Sequence, residues 1–185
     1  RGLYTALVSN GYFTREFVET VGPYVDAVNV DVKGFDASSH VGVMGGKLEP
    51  TLAGARLMYE ADVHVELTYL VIPDLNDDPA EIRDFAEWVA DLDVRIPVHF
   101  SRFHPDYKML DRPETPLETL TMSHDVATDA GLEYVYVGNA PEAKYSDTNC
   151  PECGETWISR DGFRATVESD LTEPCSCGRE KDVVL

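Results

Sequence analysis

Strands and helices alternate along most of the chain, and this order constrains the fold more than any other feature. Apolar residues with a period of two predict five strands, and apolar residues at helical spacing predict four helices. The predicted strands are 3–8, 27–32, 63–72, 98–103 and 134–137, and the predicted helices are 14–21, 50–60, a run that begins near 79, and 117–130. Because strands joined through helices pair in parallel by right-handed crossovers, the order predicts an α/β barrel or an open α/β sheet.

Polar side chains lie on one face of three neighbouring predicted strands. They are Asn29, Asp31 and Lys33 in the second strand, His64, Glu66 and Thr68 in the third, and His99 and Ser101 in the fourth. An open parallel sheet is covered by helices on both faces and would bury these groups at high cost. A barrel with a solvated lumen is therefore favoured, with its chemistry at the C-terminal strand ends. The alternative is that His64, Glu66 and His99 form a hydrogen-bonded network in the core.

The charge of the chain excludes some partners. Its 185 residues include 34 Asp plus Glu and 15 Lys plus Arg, for a net charge of -19. Such a chain repels polyanions, so we expect no nucleic-acid partner and no attraction to anionic lipid. No apolar run approaches the roughly 20 residues that cross a bilayer, so we expect no membrane partner. The excess of carboxylates predicts a halophilic source, with a solvated acidic surface on a mesophilic protein as the alternative.

The last part of the chain has a different character, because the helical period ends and cysteines begin. Cys150 and Cys153 are separated by two residues and followed by a glycine, which is typical of a zinc knuckle, and Cys175 and Cys177 form a shorter second pair. Four thiolates suit tetrahedral Zn²⁺. We predict a barrel part over residues 1–147 and a zinc-ribbon-like domain over 148–185, with an iron–sulfur cluster or disulfides as alternatives for the cysteines.

Four ordered segments carry a resemblance to a known family. They are VSNG at 8–11, NVDVKGF at 29–35, VIPDLND at 71–77 and SRFHPDYKM at 101–109. Together they resemble radical S-adenosylmethionine (radical SAM) enzymes of the pyruvate formate-lyase activating enzyme type. Within that type the likeness is to the Memo-associated (AmmeMemoRadiSam) subgroup, and it covers nearly the whole chain.

The resemblance implies a partial (β/α)6 TIM-like barrel of which strands three to six are present here, together with the zinc-ribbon tail of the same subgroup. The family's Cys-x3-Cys-x2-Cys loop, which binds a [4Fe–4S] cluster, has no match in this chain, whose cysteines all lie at 150 and beyond. The chain also begins with Arg1 rather than Met, so we expect it to be the C-terminal portion of a longer protein.

The resemblance further implies a set of residues that bind S-adenosylmethionine. These are Ser9, Asn10, Gly11, Asp31, Lys33 and His104. Asp31 and Lys33 match the Asp-x-Lys motif that flanks the amino acid end of the cofactor, and His104 lies near the position that contacts the adenine. Thr68 stands where some activating enzymes have an arginine, which departs from the pattern.

The implied activity is an oxidoreductase reaction in the cytoplasm. In such enzymes the [4Fe–4S] cluster cleaves S-adenosylmethionine reductively to a 5′-deoxyadenosyl radical, which abstracts hydrogen from a protein or a small-molecule substrate. Ferredoxin or flavodoxin would supply the electron, and no side chain need act as acid, base or nucleophile. Two alternatives stay open: a metal- or phosphate-dependent lyase on a TIM barrel, and a noncatalytic zinc-ribbon binding module.

Overall fold

Five parallel strands form the main sheet of the protein. The structure is a computed structural model that describes residues 2–140, 145–162 and 164–183, apart from the side chains of residues 39, 43 and 44. The strands are β1 (Ala6–Ser9), β2 (Ala27–Asp31), β3 (His64–Val71), β4 (Val98–Arg102) and β5 (Val135–Gly138). Their order in the sheet is their order along the chain. All five predicted strands are confirmed. The four segments of the family resemblance lie at the C-terminal ends of β1 to β4, and β5 extends the sheet beyond them.

The predicted helices are also present. They are α1 (Arg15–Val21), α3 (Leu48–Glu60), α4 (Pro79–Leu92) and α5 (Leu117–Asp129), and a short additional helix, α2 (Ala37–Ser39), continues into a π-helical turn at His40–Met44. Helix α2 was not predicted, because its sequence has little apolar period. Asp36 begins it by accepting a hydrogen bond from the backbone N–H of Ser38 at 3.1 Å. Among the helices of the described ranges, none has the length and apolar content that a bilayer crossing needs.

The two faces of the sheet differ, as the alternation predicted. Val28, Val30 and Leu67 are fully buried on one face, where they pack against the apolar sides of the helices, including Phe85 of α4. The residues between them along β2 and β3 are only partly buried. Helices therefore cover one face, and the polar face stays open as the inner side of a partial barrel. The α/β fold class is confirmed.

A second, antiparallel sheet follows the barrel part. Its strands are β6 (Thr148–Asn149), β7 (Thr156–Asp161) and β8 (Arg164–Val167). We call residues 148–162 and 164–183 the ribbon. The ribbon has a small core around the fully buried Trp157, which it shares with Tyr134 at the start of β5. Since this core is shared, the division into domains at 147/148 stays a prediction.

Ionic and polar contacts also join the ribbon to the barrel part. The Arg179 guanidinium donates to both carboxylate oxygens of Glu133, at 3.2 and 2.5 Å. The Tyr134 hydroxyl donates to Asp182 at 2.9 Å. These contacts are bidentate or half-buried, a geometry in which charged hydrogen bonds contribute more than exposed ion pairs do. The ribbon is thus fixed to the N-terminal end of β5.

Candidate functional site

The first part of the site is the turn after β1. Gly11 has φ +78°, and a Cβ at this position would lie 2.7 Å from Val30 Cγ1 and 3.0 Å from the Thr51 carbonyl oxygen. Ser9 Oγ accepts a hydrogen bond from the Gly11 N–H at 3.2 Å, and the Thr51 hydroxyl donates to the Asn10 carbonyl at 2.9 Å. Only glycine fits here, because the turn packs directly on β2 and α3.

Asp31 and Lys33 lie beside this turn, at the end of β2. Ser9 is paired with Val30 in the sheet, so the C-terminal ends of β1 and β2 are neighbours. Lys33 Nζ lies 3.3 Å from Asp31 Oδ2, and their side chains are 39% and 28% exposed. An ion pair this exposed contributes at most about 1 kcal/mol, so a ligand with both charges can compete for it. Asp31 shares the polar face with Asn29, on the lumen side.

The loop after β2 is held in place by a residue of a neighbouring helix that was not predicted from the sequence. Glu81 of α4 accepts hydrogen bonds from the backbone N–H groups of Phe35, at 2.6 Å, and Asp36, at 3.1 Å. It also accepts from the Tyr69 hydroxyl at 2.9 Å. The clue in the sequence was Tyr69, whose hydroxyl, on the apolar face of β3, needs a partner inside the protein.

Asn76 is the second residue that was missed, although it lies within one of the four segments. It is 1% exposed. Its Oδ1 accepts from the Ile72 N–H at 2.6 Å, and its Nδ2 donates to the carbonyl oxygens of Leu70 at 2.9 Å and Lys33 at 3.3 Å. Lys33 itself has φ 57°, in the left-handed region. Asn76 thus fixes the backbone that presents the lysine.

Other polar residues of the same face of the sheet form a hydrogen-bonded network. Glu66 Oε2 lies 2.9 Å from His99 Nε2, and Glu66 Oε1 lies 3.4 Å from His64 Nε2. The hydrogen bonds from His64 and then His99 lower the pKa of Glu66 far below its usual value, although burial opposes them. The Thr68 hydroxyl donates to Asn29 Oδ1 at 2.9 Å. The network that we considered as an alternative exists, but on the open face rather than in the core.

His104 is not brought together with the other five candidates. Its side chain is 80% exposed in the loop after β4, and Nδ1 lies 3.7 Å from Glu114 Oε1. Within the described ranges, no hydrogen bond or ion pair joins His104 to Asp31 or Lys33. A role for His104 at the adenine stays a prediction.

The four cysteines form a metal-binding site in the ribbon. Their Sγ atoms all lie within 4.8 Å of one another, with Cys150 at 3.6 Å from Cys177 and Cys153 at 3.5 Å from Cys175. Four thiolates at about 2.3 Å from one Zn²⁺ would be separated by about 3.8 Å in a regular tetrahedron. A [4Fe–4S] cluster binds each thiolate to a different iron and needs wider spacing. The residues therefore fit a single tetrahedral ion.

Hydrogen-bond donors surround these sulfur atoms. The backbone N–H groups of Glu155, Cys177 and Arg179 each act to lower the pKa of one thiol, those of Cys153, Cys175 and Cys177 in that order. Burial raises the pKa of Cys175, but the Cys177 N–H and the Trp157 indole lower it, for a net value of about 6. The Trp157 indole nitrogen is buried without an oxygen or nitrogen partner. At Cys153 and Cys177 the backbone N–H groups also lower the pKa, but burial and the neighbouring thiols outweigh them and the net pKa is raised. Of these three cysteines, Cys175 is therefore the one shifted toward the thiolate, the metal-binding form.

Comparisons with known proteins agree with this fold. A scan against protein-family models gives no match to the chain. The chain is 39% identical, over 188 aligned residues, to an uncharacterized protein of Methanocaldococcus jannaschii, and the match covers all of this chain and 56% of that protein. It is 33% identical over 90 residues to the benzylsuccinate synthase activating enzyme of Thauera aromatica, covering 48% of this chain and 27% of that enzyme. The chain thus spans little more than half the length of the first relative.

Two solved structures share the architecture. A domain of a pyruvate-formate lyase-activating enzyme from Bacteroides vulgatus superposes with a TM-score of 0.65 and 23% identity, over 75% of this chain and 83% of that one. A radical SAM methyltransferase from Sphaerobacter thermophilus gives a TM-score of 0.59 and 14% identity, over 82% of this chain and 43% of that one.

The chain therefore shares its α/β fold with these two structures. The resemblance of this chain to radical SAM enzymes of the pyruvate formate-lyase activating type is confirmed by the structural neighbours together with the activating-enzyme relative.

Proposed function

We propose that the protein containing this chain is a radical SAM enzyme of the activating type, in the Memo-associated subgroup, and that Asp31 and Lys33 bind the amino acid end of S-adenosylmethionine. One observation carries the proposal: a half-exposed pair of opposite charges lies on the lumen face beside the glycine turn of the adjacent parallel strand. A zwitterionic ligand needs both charges within reach. The C-terminal ends of barrel strands are where such sites are built.

Each residue has a separate task in this proposal. Lys33 Nζ would donate to the carboxylate of the methionyl group, and Asp31 would accept from its ammonium. The turn at Ser9 to Gly11 would place backbone close to the ligand, since no side chain projects from position 11. Asn76 and Glu81 would act as positioning residues, because they hold the backbone of the loop that presents Lys33.

The radical chemistry requires a cluster whose ligands this chain does not supply. Its four cysteines are all in the ribbon, in a geometry that fits a single ion. We propose that the upstream part of the longer protein provides the three thiolates of a [4Fe–4S] cluster. When bound, that cluster supplies the electron that cleaves S-adenosylmethionine to methionine and the 5′-deoxyadenosyl radical. The residues of this chain would bind the amino acid end of S-adenosylmethionine and so orient it.

The substrate and the electron donor belong to the same proposal. The radical would abstract hydrogen from a protein or a small molecule, and ferredoxin or flavodoxin would deliver the electron. For the ribbon, we propose structural Zn²⁺. The sulfur–sulfur distances support it.

The test uses the full-length protein, reconstituted with iron and sulfide under anaerobic conditions and reduced with dithionite. We expect formation of 5′-deoxyadenosine, which Asp31→Ala abolishes. Asp84→Ala, an exposed position on α4, is the matched control and should leave the yield unchanged. Equal yields from the wild type and Asp31→Ala would refute the site assignment, and no product from a protein with a fully loaded cluster would refute the activity.

A further inference from the structure

A cavity with several polar and charged side chains in its walls lies between the open face of the sheet and the ribbon, and neither Asp31 nor Lys33 lines it. Its volume is about 690 Å³, and its walls include Glu66, His99 and Tyr136 of the sheet and Arg160 of the ribbon. A second cavity of about 410 Å³ adjoins it at the N-terminal ends of the strands and shares Glu66, Tyr136 and Arg160. Volumes of about 300–1,000 Å³ are typical of small-molecule sites.

The Arg160 side chain is held in one position at the boundary of these cavities. Its Nη1 donates to the Thr148 hydroxyl at 2.8 Å and to the Ser146 carbonyl at 2.9 Å. Its guanidinium carbon lies 5.5 Å from the centroid of the Tyr136 ring. Both side-chain hydrogen bonds use the same nitrogen, so Nη2 and Nε have no protein acceptor among the described residues. The guanidinium is preorganised, and in the described part of the structure two of its nitrogens are available to donate.

Within the described ranges no carboxylate forms an ion pair with the Arg160 guanidinium, although Asp147 accepts a hydrogen bond from the Arg160 backbone N–H at 2.6 Å. The missing ion pair is unexpected in a protein with 34 acidic residues. Arg95, the other arginine of the smaller cavity, shows the contrast: it lies 2.8 Å from Asp93 and 3.8 Å from Asp182. Asp161 also lines the larger cavity, but it is exposed and follows Arg160 directly in β7, so its side chain projects to the other side of the strand. A fixed guanidinium that has no ion pair among the described residues suits an anionic ligand.

Across the cavity, the sheet presents an acceptor. Glu66 is bound to His99, whose ring stacks on Tyr136 at a centroid distance of 5.1 Å. Glu66 carries negative charge and accepts hydrogen bonds. The part of a ligand that faces Glu66 must therefore be a hydrogen-bond donor. The cavity therefore has an anion-binding side at Arg160 and an acceptor side at Glu66.

We propose that Arg160 binds the anionic group, a carboxylate or a phosphate, of a small polar ligand whose hydroxyl or amine faces Glu66. This site lies outside the proposed S-adenosylmethionine site and does not depend on the proposed function. It gives the ribbon a role in ligand binding, since Arg160 and its Thr148 partner both belong to the ribbon.

The test measures binding of malate, succinate and inorganic phosphate to the intact protein by titration calorimetry. We expect saturable binding of malate and phosphate, and malate should bind more tightly than succinate, which lacks the hydroxyl. Arg160→Gln should weaken malate binding about tenfold or more, and Arg164→Gln, an exposed ribbon position, should not. Absence of saturable binding to the wild type, or equal binding by Arg160→Gln, would overturn the proposal. Equal affinities for malate and succinate would overturn the role of Glu66.

A second measurement avoids any folding defect of the variant. Phenylglyoxal modifies accessible guanidinium groups, and mass spectrometry locates the modified residues in the wild-type protein. Malate should protect Arg160 and leave the modification of Arg164 unchanged. Equal modification of Arg160 with and without malate would contradict the proposal.

Discussion

Asn76 Nδ2 donates to the carbonyl oxygen of Lys33 at 3.3 Å, across 43 positions of the chain. The end of β3 therefore fixes the backbone of the residue to which we assign the carboxylate of S-adenosylmethionine. Asn76 is buried, and it also forms hydrogen bonds with the Ile72 N–H and the Leu70 carbonyl. This part of the site is therefore anchored in the core.

Asn76→Ala should destabilise the protein strongly. It leaves a buried backbone N–H and two carbonyl groups without their partner, and buried unsatisfied groups cost about 1–3 kcal/mol each when water cannot replace the partner. We expect a loss of about 3 kcal/mol in the free energy of unfolding, measured in urea. Asn149→Ala, at an exposed position, is the control and should change it by less than about 1 kcal/mol. A similar small change in both variants would contradict the structural role.

Glu81→Gln should weaken S-adenosylmethionine binding with little effect on the fold. One carboxylate oxygen accepts from both the Phe35 and the Asp36 N–H groups, and the uncharged amide oxygen of glutamine is a weaker acceptor, so the anchor of the loop that carries Lys33 is weakened. We expect affinity to fall about tenfold, by calorimetry on the reconstituted protein. Glu87→Gln, exposed on the same helix, should bind as the wild type does. If Glu81→Gln also binds normally, Glu81 does not position the site.

The Glu66 network predicts a pH dependence of stability. Because the folded-state pKa of Glu66 lies below its ordinary value of 4.5, its stabilising contribution is present above that value and is lost as pH falls toward the folded pKa. The difference in unfolding free energy between the wild type and Glu66→Gln should be larger at about pH 5 than at about pH 3. Urea denaturation at these pH values measures it. A difference that stays constant or grows toward acid would contradict the network.

The ribbon should contain one tetrahedral ion per chain. Elemental analysis should find zinc, and the Co²⁺-substituted protein should show the visible absorption of tetrahedral thiolate coordination. Cys175→Ser should lose the ion and loosen the ribbon, seen as a change in tryptophan fluorescence, because Trp157 packs against the cysteines. Ser176→Ala is the control. Iron with inorganic sulfide bound at these cysteines, or no metal, would contradict the assignment.

The net charge of -19 predicts that salt stabilises the protein. Repulsion among carboxylates is screened as ionic strength rises, so Tm should increase from low to molar KCl. Thermal unfolding across a series of KCl concentrations tests this expectation. A Tm that is the same in low salt as in molar KCl would remove the argument for a halophilic source.

Much of the fold followed from local pattern. The valines of β2 alternate with Asn29 and Asp31, and a period of two is enough to assign each to a face and hence to predict an open inner side. The four segments placed Ser9, Gly11 and the Asp31–Lys33 pair at adjacent strand ends in the same way.

The positioning contacts could not be predicted, because they join distant parts of the chain. Glu81 reaches a backbone N–H 46 positions away, and nothing in the sequence around α4 marks it among many other acidic residues. The same holds for Arg160, whose surroundings arise only when the ribbon packs on β5. Side chains that act across elements need the tertiary structure.

The central claim is that Asp31 and Lys33 hold the zwitterionic end of S-adenosylmethionine. Calorimetric titration of the reconstituted full-length protein with S-adenosylmethionine tests it most directly. We predict that Asp31→Ala and Lys33→Ala each weaken binding about tenfold or more, while Asp84→Ala binds as the wild type does. Wild-type affinity in both site variants would contradict the account.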